Sequence, residues 1–209
     1  MRDYSNYHNT DMNEKIAHDG NLILEHSLNG FEGYDATINN HDTAKVLIYE
    51  KYDSDSETKK VIGYTQHIER GNLLTIDGLH WLITSFPEDN KIYRKAEIRL
   101  CNATFPHEYN KTRVLLGYDR DGKPIYDDVV EYEHIPCIAE TKYTSTFNND
   151  QLPLPDGHIK LILQYRVSES ITVNREFEMY KNTYKITDID YTKVINDKGI
   201  MVILAERMV

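Results

Sequence analysis

Apolar and polar residues alternate with a period of two over most of the chain beyond residue 44, and this period predicts β-strands. Val46–Tyr49 and Val61–Thr65 predict two strands, and the charged segment Asp53–Glu57 between them predicts the tip of a hairpin. Ile159–Tyr165 continues the alternation, and Ile200–Leu204 is an apolar run near the end. The pattern favours a mainly β fold of antiparallel strands joined by turns.

A two-residue turn is the strongest local signal in the sequence. Asp77 and Gly78 separate the apolar runs Leu74–Ile76 and Leu79–Ile83, and an Asp-Gly pair favours the positive φ angles of a tight hairpin. The following run, Ala96–Leu100, alternates apolar with charged residues. We therefore expect at least three neighbouring strands in this part of the chain.

Residues 1–44 differ from the rest because they are rich in acidic residues and Asn and poor in apolar residues. We interpret them as an extended, irregular N-terminal arm with at most one short helix, which Asp11 and Glu14 would cap and Gly20 would end. Two β subdomains are predicted after the arm, at residues 45–108 and 109–209, each a small antiparallel sandwich or barrel. The second is expected to have long connecting loops.

An ungapped shift of 103 residues superposes much of the pattern of the two predicted subdomains. Eight apolar positions coincide: Leu74 with Phe177, Ile76 with Met179, Trp81 with Tyr184, Ile83 with Ile186, Phe86 with Ile189, Ile92 with Ile195, Ile98 with Met201, and Leu100 with Ile203. Either an internal duplication or a chance likeness between two strand-turn-strand units accounts for this match.

The net charge, the number of cysteines and the length of the apolar runs limit the classes of function that the chain can have. The 24 Lys and Arg against 34 Asp and Glu give a net charge of −10, which argues against a surface that grips duplex DNA. Two cysteines, Cys101 and Cys137, are too few for a disulfide framework and fit a reducing compartment or one incidental bridge. The longest apolar run, Ile200–Ala205, is too short to span a bilayer, so no membrane association is predicted.

No sequence motif indicates catalysis. The chain lacks a Gly-x-Ser-x-Gly elbow, a Walker loop and a Gly-x-Gly-x-x-Gly loop. His134 and Cys137 are too few for zinc, and the acidic loop Asp53–Glu57 lacks the glycine and distant glutamate of a calcium loop. We therefore predict a protein that is not an enzyme and that needs no catalytic residues, metal or cofactor.

The segment Arg70–Ser85, followed by Ile92–Ala96 and Arg99–Asn102, resembles minor structural proteins of tailed bacteriophages. In those proteins a strand reaches a turn, an aromatic residue precedes Leu-Ile, and a Tyr-x-Lys-Ala stretch closes in Cys-Asn. Phe177–Ile189 and Gly199–Leu204 resemble the second half of such a chain. The chain departs from the pattern after Asn102, so the resemblance does not fix the strand pairing there.

The resemblance implies a head-closure or neck component of the virion at the head-tail junction, assembled in the cytoplasm of the bacterial host. Such a structural protein acts as a connector: a homo-oligomeric ring, with copies in a multiple of six, between a portal or adaptor protein and the tail proteins. DNA would pass through it without specific binding. Six residues would specify the fold: Asp77, Gly78, Trp81, Ala96, Cys101 and Asn102.

The contacts with neighbouring subunits are expected in exposed segments: the arm, the tip at Asp53–Glu57 and the loop between Tyr143 and Asp156. The candidate interface residues are Tyr143, Phe147, Asn148, Asn149, Asp150, Leu152 and Leu154. Two other functions fit the sequence: a tail or baseplate structural protein, and a ligand-binding β module that uses some of the 16 tyrosines as stacking platforms.

Overall fold

The computed structural model describes residues 11–50, 57–144, 151–153, 157–168 and 171–208, and it divides the chain into two compact units, Met1–Leu100 and Cys101–Val209. The first unit contains α1 (Met12–Leu28), β1 (Gly33–Ile38), β2 (Asp42–Glu50), β3 (Thr58–Gly63), β4 (Leu73–Ile76), β5 (Leu79–Ile83), β6 (Glu88–Asp89) and β7 (Arg94–Leu100). The second contains β8 (Ala103–Tyr118), β9 (Pro124–Glu140), β10 (Lys142–Thr144), β11 (Gln151–Pro153), β12 (His158–Gln164), β13 (Glu176–Met179), β14 (Asn182–Asp190), β15 (Val194–Ile195) and β16 (Lys198–Arg207). The predicted fold class, two small antiparallel β units preceded by an N-terminal segment, is confirmed.

The first unit is a closed six-stranded antiparallel barrel. Its strands follow the order β3-β2-β1-β4-β5-β7, and β3 also pairs with β7, so the sheet returns to its first strand. The alternation of apolar residues sends one face of every strand inward, as in other small barrels. The buried interior contains Ala36, Ile38, Val46, Val61, Ile68, Leu74, Ile76, Trp81, Ile83, Ala96 and Ile98.

The second unit has an antiparallel sheet in the order β13-β14-β16-β12-β9-β8, with β15 paired to β16 and a separate hairpin of β10 and β11. The sheet folds over an apolar core that contains Phe105, Cys137, Ile159, Leu161, Leu163, Ile171, Phe177, Met179, Ile186, Met201, Ile203 and Ala205. The end strands are β8 and β13, and no ladder joins them among the described strands.

The two units share one strand order. If β8, β9, β12, β13, β14 and β16 are matched with β1, β2, β3, β4, β5 and β7, every pairing among these six strands of the second unit has a counterpart in the first. The two units differ at one junction, which we call the seam. The seam is the junction of β1 with β4 in the first unit and of β8 with β13 in the second. Two residue pairs, Thr37 with Thr75 and Ile38 with Leu74, join the strands at the first seam, whereas the second seam has no such ladder.

Residues 103 apart occupy equivalent positions in the hairpin β4–β5 of the first unit and the hairpin β13–β14 of the second. Gly71 N–H donates to the Ile83 carbonyl at 2.9 Å, and 103 residues later Asn174 N–H donates to the Ile186 carbonyl at 2.8 Å. The match then fails by four residues in the last strand, because Ile83 pairs with Ile98 whereas Ile186 pairs with Ala205 and not with Met201. The two units are therefore similar β subdomains with one offset in register.

The N-terminal segment is more ordered than the sequence predicted. Helix α1 begins after Asp11, whose carboxylate accepts a hydrogen bond from Asn13 N–H, and it continues through Gly20 to Leu28. Gly20 lies inside the helix, and Ile92 packs so close to it that a Cβ atom there would lie 2.4 Å from the Ile92 side chain. The expectation that Gly20 ends the helix is thus wrong.

Strand β1 lies inside the segment that we expected to be an irregular arm, and β2 begins there too. Thr37, Thr43 and Asp42 carry polar side chains into the ladder, so the local apolar pattern is too weak to reveal a barrel strand. The chain divides into its two units between Leu100 and Cys101, whereas the sequence analysis placed the division after residue 108. Strand β8 already pairs with β9 from Ala103 onward, so the segment after Asn102 is a regular strand.

No helix in the described part of the chain is long and apolar enough to cross a membrane.

The turn between β13 and β14 gives a test of backbone strain. Tyr180 and Lys181 have φ angles of 52° and 61°, which cost L-residues with large side chains about 1 kcal/mol each. We predict that the double substitution Tyr180→Asn and Lys181→Gly raises the free energy of unfolding by about 1 kcal/mol, because Asn-Gly suits this turn. Thermal and denaturant unfolding would measure the change.

The matching turn of the first unit supplies the control. Asp77 has a φ of 51° and Gly78 a φ of 78°, so this turn already has suitable residues. Asp77→Asn should change stability by less than about 0.5 kcal/mol. A double variant at Tyr180 and Lys181 that is no more stable than the parent would contradict the assignment of strain.

Candidate functional site

The predicted fold-specifying residues of the first unit lie at its turn and in its core. Asp77 and Gly78 form the two-residue turn that links Ile76 to its partner Leu79. Trp81 is buried in the barrel, and Lys59 Nζ lies 5.4 Å from the centre of its ring. Ala96 is also buried in that core and pairs with Val61 where β7 closes the barrel on β3.

Asn102 uses its side chain as an additional rung of the sheet. Ala139 N–H donates to Asn102 Oδ1 at 2.7 Å, and Asn102 Nδ2 donates to the Ala139 carbonyl at 3.1 Å. These bonds continue the ladder that starts one residue later, where Ala103 pairs with Cys137. The side-chain amide has one donor and one acceptor in the geometry of a peptide group, which explains why this position suits Asn.

The two cysteines of the chain are free and differ in accessibility. Cys137 is fully buried in the core of the second unit, and this burial, together with the nearby Cys101, raises the pKa of its thiol to about 12. Cys101 is half-buried. The core therefore shields the Cys137 thiol from reagents, whereas Cys101 is the more accessible of the two.

Only part of the predicted interface loop is described. Tyr143 and Leu152 are opposite each other in the ladder of β10 with β11. Phe147, Asn148, Asn149, Asp150 and Leu154 lie outside the described residues, as do residues 53–56 of the other predicted tip.

The largest exposed feature is the far part of the β8–β9 hairpin, Asn110–Glu131, which we call the hairpin arm. Within it, every residue is exposed except Gly117 and Val130, which are half-buried. It is a two-stranded ribbon of roughly 30 Å at about 3.3 Å per residue. Its exposed large apolar residues are Val114, Leu115, Leu116, Tyr118, Ile125, Tyr126 and Val129. Such a row of apolar residues on a ribbon without a core indicates a surface for another molecule.

Cross-strand contacts keep the hairpin arm extended. Lys111 Nζ lies 3.0 Å from Asp128 Oδ2, and the Arg113 guanidinium lies 4.6 Å from the centre of the Tyr126 ring. At the tip, Asp119 Oδ1 accepts hydrogen bonds from the N–H groups of Asp121 and Lys123 at 2.9 and 2.8 Å. The tip is therefore an ordered turn.

Two β-bulges set which side chains share a face of the hairpin arm. The ladder shifts register between Glu108 and Asn110 and again between Leu115 and Gly117. Between the bulges, directly opposite residues share a face, which places Arg113, Leu115 and Tyr126 together. This face, which we call the basic apolar face, carries its acidic residue, Asp128, in contact with Lys111.

A groove of about 540 Å³ lies at the open seam of the second unit. Phe105 of β8 and Phe177 of β13 close its inner side, with ring centres 5.0 Å apart, and Ile186 lies beside them. Arg175 and Glu108 form an ion pair across the seam. The full lining is Phe105, Pro106, Glu108, Tyr132, His134, Arg175, Glu176, Phe177, Glu178, Thr183 and Ile186.

One buried cluster next to the hairpin arm has the residue types of a hydrolase triad. His107 Nε2 shares a hydrogen bond of 2.8 Å with Ser168 Oγ, and Glu133 is directly opposite His107 in the ladder. The Glu133 carboxylate lies 3.8 Å from His107 Nδ1, too far for a hydrogen bond, and instead accepts one from Arg166 at 2.7 Å. It does not orient the imidazole as a triad carboxylate does, so the geometry favours a structural bond.

Helix α1 of the first unit has a stripe of exposed apolar residues in addition to its buried ones. Leu24 and Leu28 pack on Leu47 of the barrel, whereas Met12, Ile16 and Ile23 are exposed at helical spacing. The predicted role of the N-terminal segment in docking therefore rests on the outer side of α1. Deleting the segment up to residue 30 would also remove Leu28 from the core.

Among the described residues, no group of three or more His, Cys, Asp or Glu side chains is placed to hold a metal ion.

Sequence reasoning did not identify the hairpin arm as a surface. A period of two predicts a strand with one buried face, and here both faces are exposed. The available signal was the hairpin length: strands of 16 and 17 residues exceed what one small sheet covers.

Together these features define a protein of two small β domains, the second of which carries an exposed hairpin. Comparison with known families places the chain in one of them: residues 6–100 match the YomX N-terminal domain and residues 85–206 match the YomX C-terminal domain. The chain belongs to the YomX family. The end of the N-terminal match coincides with the structural division at Leu100.

A relative from Bacillus subtilis (strain 168), the SPbeta prophage-derived uncharacterized protein YomX, is 37% identical over 215 residues, which cover 100% of this chain and 98% of the relative. No solved structure matches the chain. The family and this relative identify the chain as phage-derived, which confirms the phage part of the resemblance.

The bidentate contact of Asn102 gives a test of fold specification. Asn102→Ala removes both hydrogen bonds to Ala139 and should lower the free energy of unfolding by about 1 to 2 kcal/mol. Asn102→Asp keeps an acceptor but loses the donor and should also destabilise. Urea unfolding would measure both variants.

The control is Asn110→Ala, which removes an exposed contact of 3.1 Å with Glu131 and should cost less than about 0.5 kcal/mol. Equal effects at Asn102 and Asn110 would refute the proposed role of Asn102.

Acid sensitivity gives a test of the buried cluster. Burial lowers the pKa of His107, the Arg166 guanidinium lowers it further, and Glu133 and Glu108 act in the opposite direction. The unfolded chain therefore binds a proton at His107 more readily than the folded chain does. The contribution of the neutral His107 to the free energy of unfolding should be fully present above about pH 6.5, the ordinary histidine pKa, and should be lost as the pH drops below it.

His107→Gln keeps a neutral hydrogen-bonding side chain and should reduce this dependence of unfolding free energy on pH between neutral and mildly acidic conditions. Chemical unfolding at a series of pH values would measure the slope. An unchanged slope in the variant would show that another group causes the dependence.

Proposed function

We propose that the chain is a non-enzymatic structural component of a tailed-phage virion, a head-closure or neck protein at the head-tail junction. In this role a ring of copies, in a multiple of six, joins a portal or adaptor protein to the tail proteins. The observation that supports the proposal most is the hairpin arm, because an exposed apolar ribbon is suited to contacts between subunits. The phage-derived family supports the same class.

The hairpin arm suits assembly for an energetic reason. A two-stranded ribbon in water is marginally stable, so much of its ordering can be completed when a neighbour covers it. Assembly would then bury exposed apolar side chains of the hairpin arm and make subunit addition favourable only in the correct position. The particle is also the compartment to which we assign the protein, after its assembly in the host cytoplasm.

The acidic charge of the chain supports passage of DNA without specific binding. A net charge of −10 repels the phosphate backbone, so a channel lined by such subunits would offer DNA few attachment points. A tail or baseplate component would use the same surfaces at another place in the particle.

The test is the composition and morphology of phage particles. We predict that quantitative mass spectrometry of purified particles finds this chain at a low, fixed copy number close to that of the portal protein. Disruption of its gene should give filled or leaking heads and separate, complete tails in electron micrographs, because only the joining step is lost.

A copy number close to that of the major tail protein, or loss of the tails themselves, would assign the chain to the tail instead. Absence of the chain from purified particles would overturn the virion role altogether.

A further inference from the structure

The structure carries one inference about how copies of this chain contact one another. We propose that the end of the hairpin arm of one copy docks in the groove at the open seam of the next copy, with the basic apolar face of the arm against the acidic side of the groove. The inference deepens the proposed function, on which its place in a virion ring rests, because it names the contact that would join the subunits.

The groove exists because the seam of the second unit has no backbone ladder, whereas the seam of the first unit has one. In the first barrel, β1 and β4 are joined at Thr37–Thr75 and Ile38–Leu74, whereas the equivalent strands β8 and β13 have no ladder. The end strands of a sheet offer unused backbone N–H and C=O groups to an additional chain. The open seam is therefore a place where an extended segment can bind.

The side chains of the groove define what it would bind. Phe177 and Ile186 provide an apolar floor, and Glu176 and Glu178 are exposed on the β13 side. The Glu108 carboxylate on the opposite side is already paired with Arg175. An extended ribbon with apolar residues and an adjacent cation fits this arrangement.

The basic apolar face of the hairpin arm has these properties. Leu115 and Tyr126 are exposed and adjacent, and the Arg113 guanidinium lies over the Tyr126 ring. Leu115 and Tyr126 would cover the apolar floor, and Arg113 would approach Glu178. Arg is well suited to such a contact because its planar group can stack on the ring and bind a carboxylate at the same time.

The same copy cannot satisfy its own groove. The hairpin arm starts at the strands that form the groove and leads away from them for roughly 30 Å through a continuous ladder. The arm and the groove are different surfaces, so the contact either closes reciprocally between two copies or runs head to tail as a closed ring or an open filament. The head-to-tail arrangement agrees with the ring of the proposed function.

Charge reversal with exchange of copies is the test. We expect the purified full chain to self-associate in sedimentation velocity, and we expect Arg113→Glu and Glu178→Arg each to weaken this association by at least about tenfold. Mixing the two variants should restore it, because the arm of the Glu178→Arg copy meets an unmodified groove and the arm of the Arg113→Glu copy meets a reversed one.

The matched control is Thr112→Glu, which adds a negative charge to the opposite face of the same arm and should leave association within about twofold of the parent. Circular dichroism of every variant checks that the fold is retained.

Several results would overturn the proposal. They are a parent chain that stays monomeric up to its solubility limit, association that survives both reversals, and association that Arg113→Glu abolishes but Glu178→Arg leaves intact, as expected for contact between two arms. These outcomes are measured on the purified chain. They are therefore independent of whether phage particles contain it, which is what the proposed function predicts.

Discussion

The need to pair the backbone groups at the edges of a sheet is the constraint on which the rest of this structure depends. In the first unit the pairing of β3 with β7 and of β1 with β4 leaves none of the six barrel strands without two neighbours, so the barrel is complete in itself. In the second unit the same strand order stops short of closure, and side chains hold the seam instead: the Phe105–Phe177 contact and the Arg175–Glu108 ion pair. The first unit is thus a closed barrel, whereas the sheet of the second unit ends in two strands, β8 and β13, that no ladder joins.

This difference accounts for the position of the two proposed contact surfaces, the hairpin arm and the groove, which both lie in the second unit. The hairpin that closes on itself within the first barrel, β1 with β2, corresponds to a hairpin in the second unit that extends well beyond its sheet. The extension converts a barrel strand pair into an exposed ribbon, and the open seam leaves a groove with an apolar floor. Both changes expose surface that an isolated domain would bury, so both are understandable if the surface is covered in an assembly.

The sequence predicted those parts of the fold in which one local signal dominates. Asp77 and Gly78 at a two-residue turn, and the alternation around Ile98, are such signals, and the structure has a hairpin and a strand there. The helix through Gly20 was missed because the helix packs through Leu24 and Leu28 on Leu47, a contact between residues distant in sequence that the local pattern does not show. The groove was missed for the same reason, since alternation identifies strands but not which edges remain unpaired. The seven-residue interface prediction from Tyr143 to Leu154 lies mostly outside the described residues.

The contrast between the two cysteines limits the sulfur chemistry of the chain to one position. A thiol with a pKa of about 12, such as that of Cys137, has almost no thiolate at neutral pH and is shielded from reagents by the core around it. Cys101 is half-buried and directly follows the last residue of the first barrel. A maleimide dye or spin label added to the native protein should therefore attach at a single place, the point where the chain passes from one unit to the other, without any engineered residue.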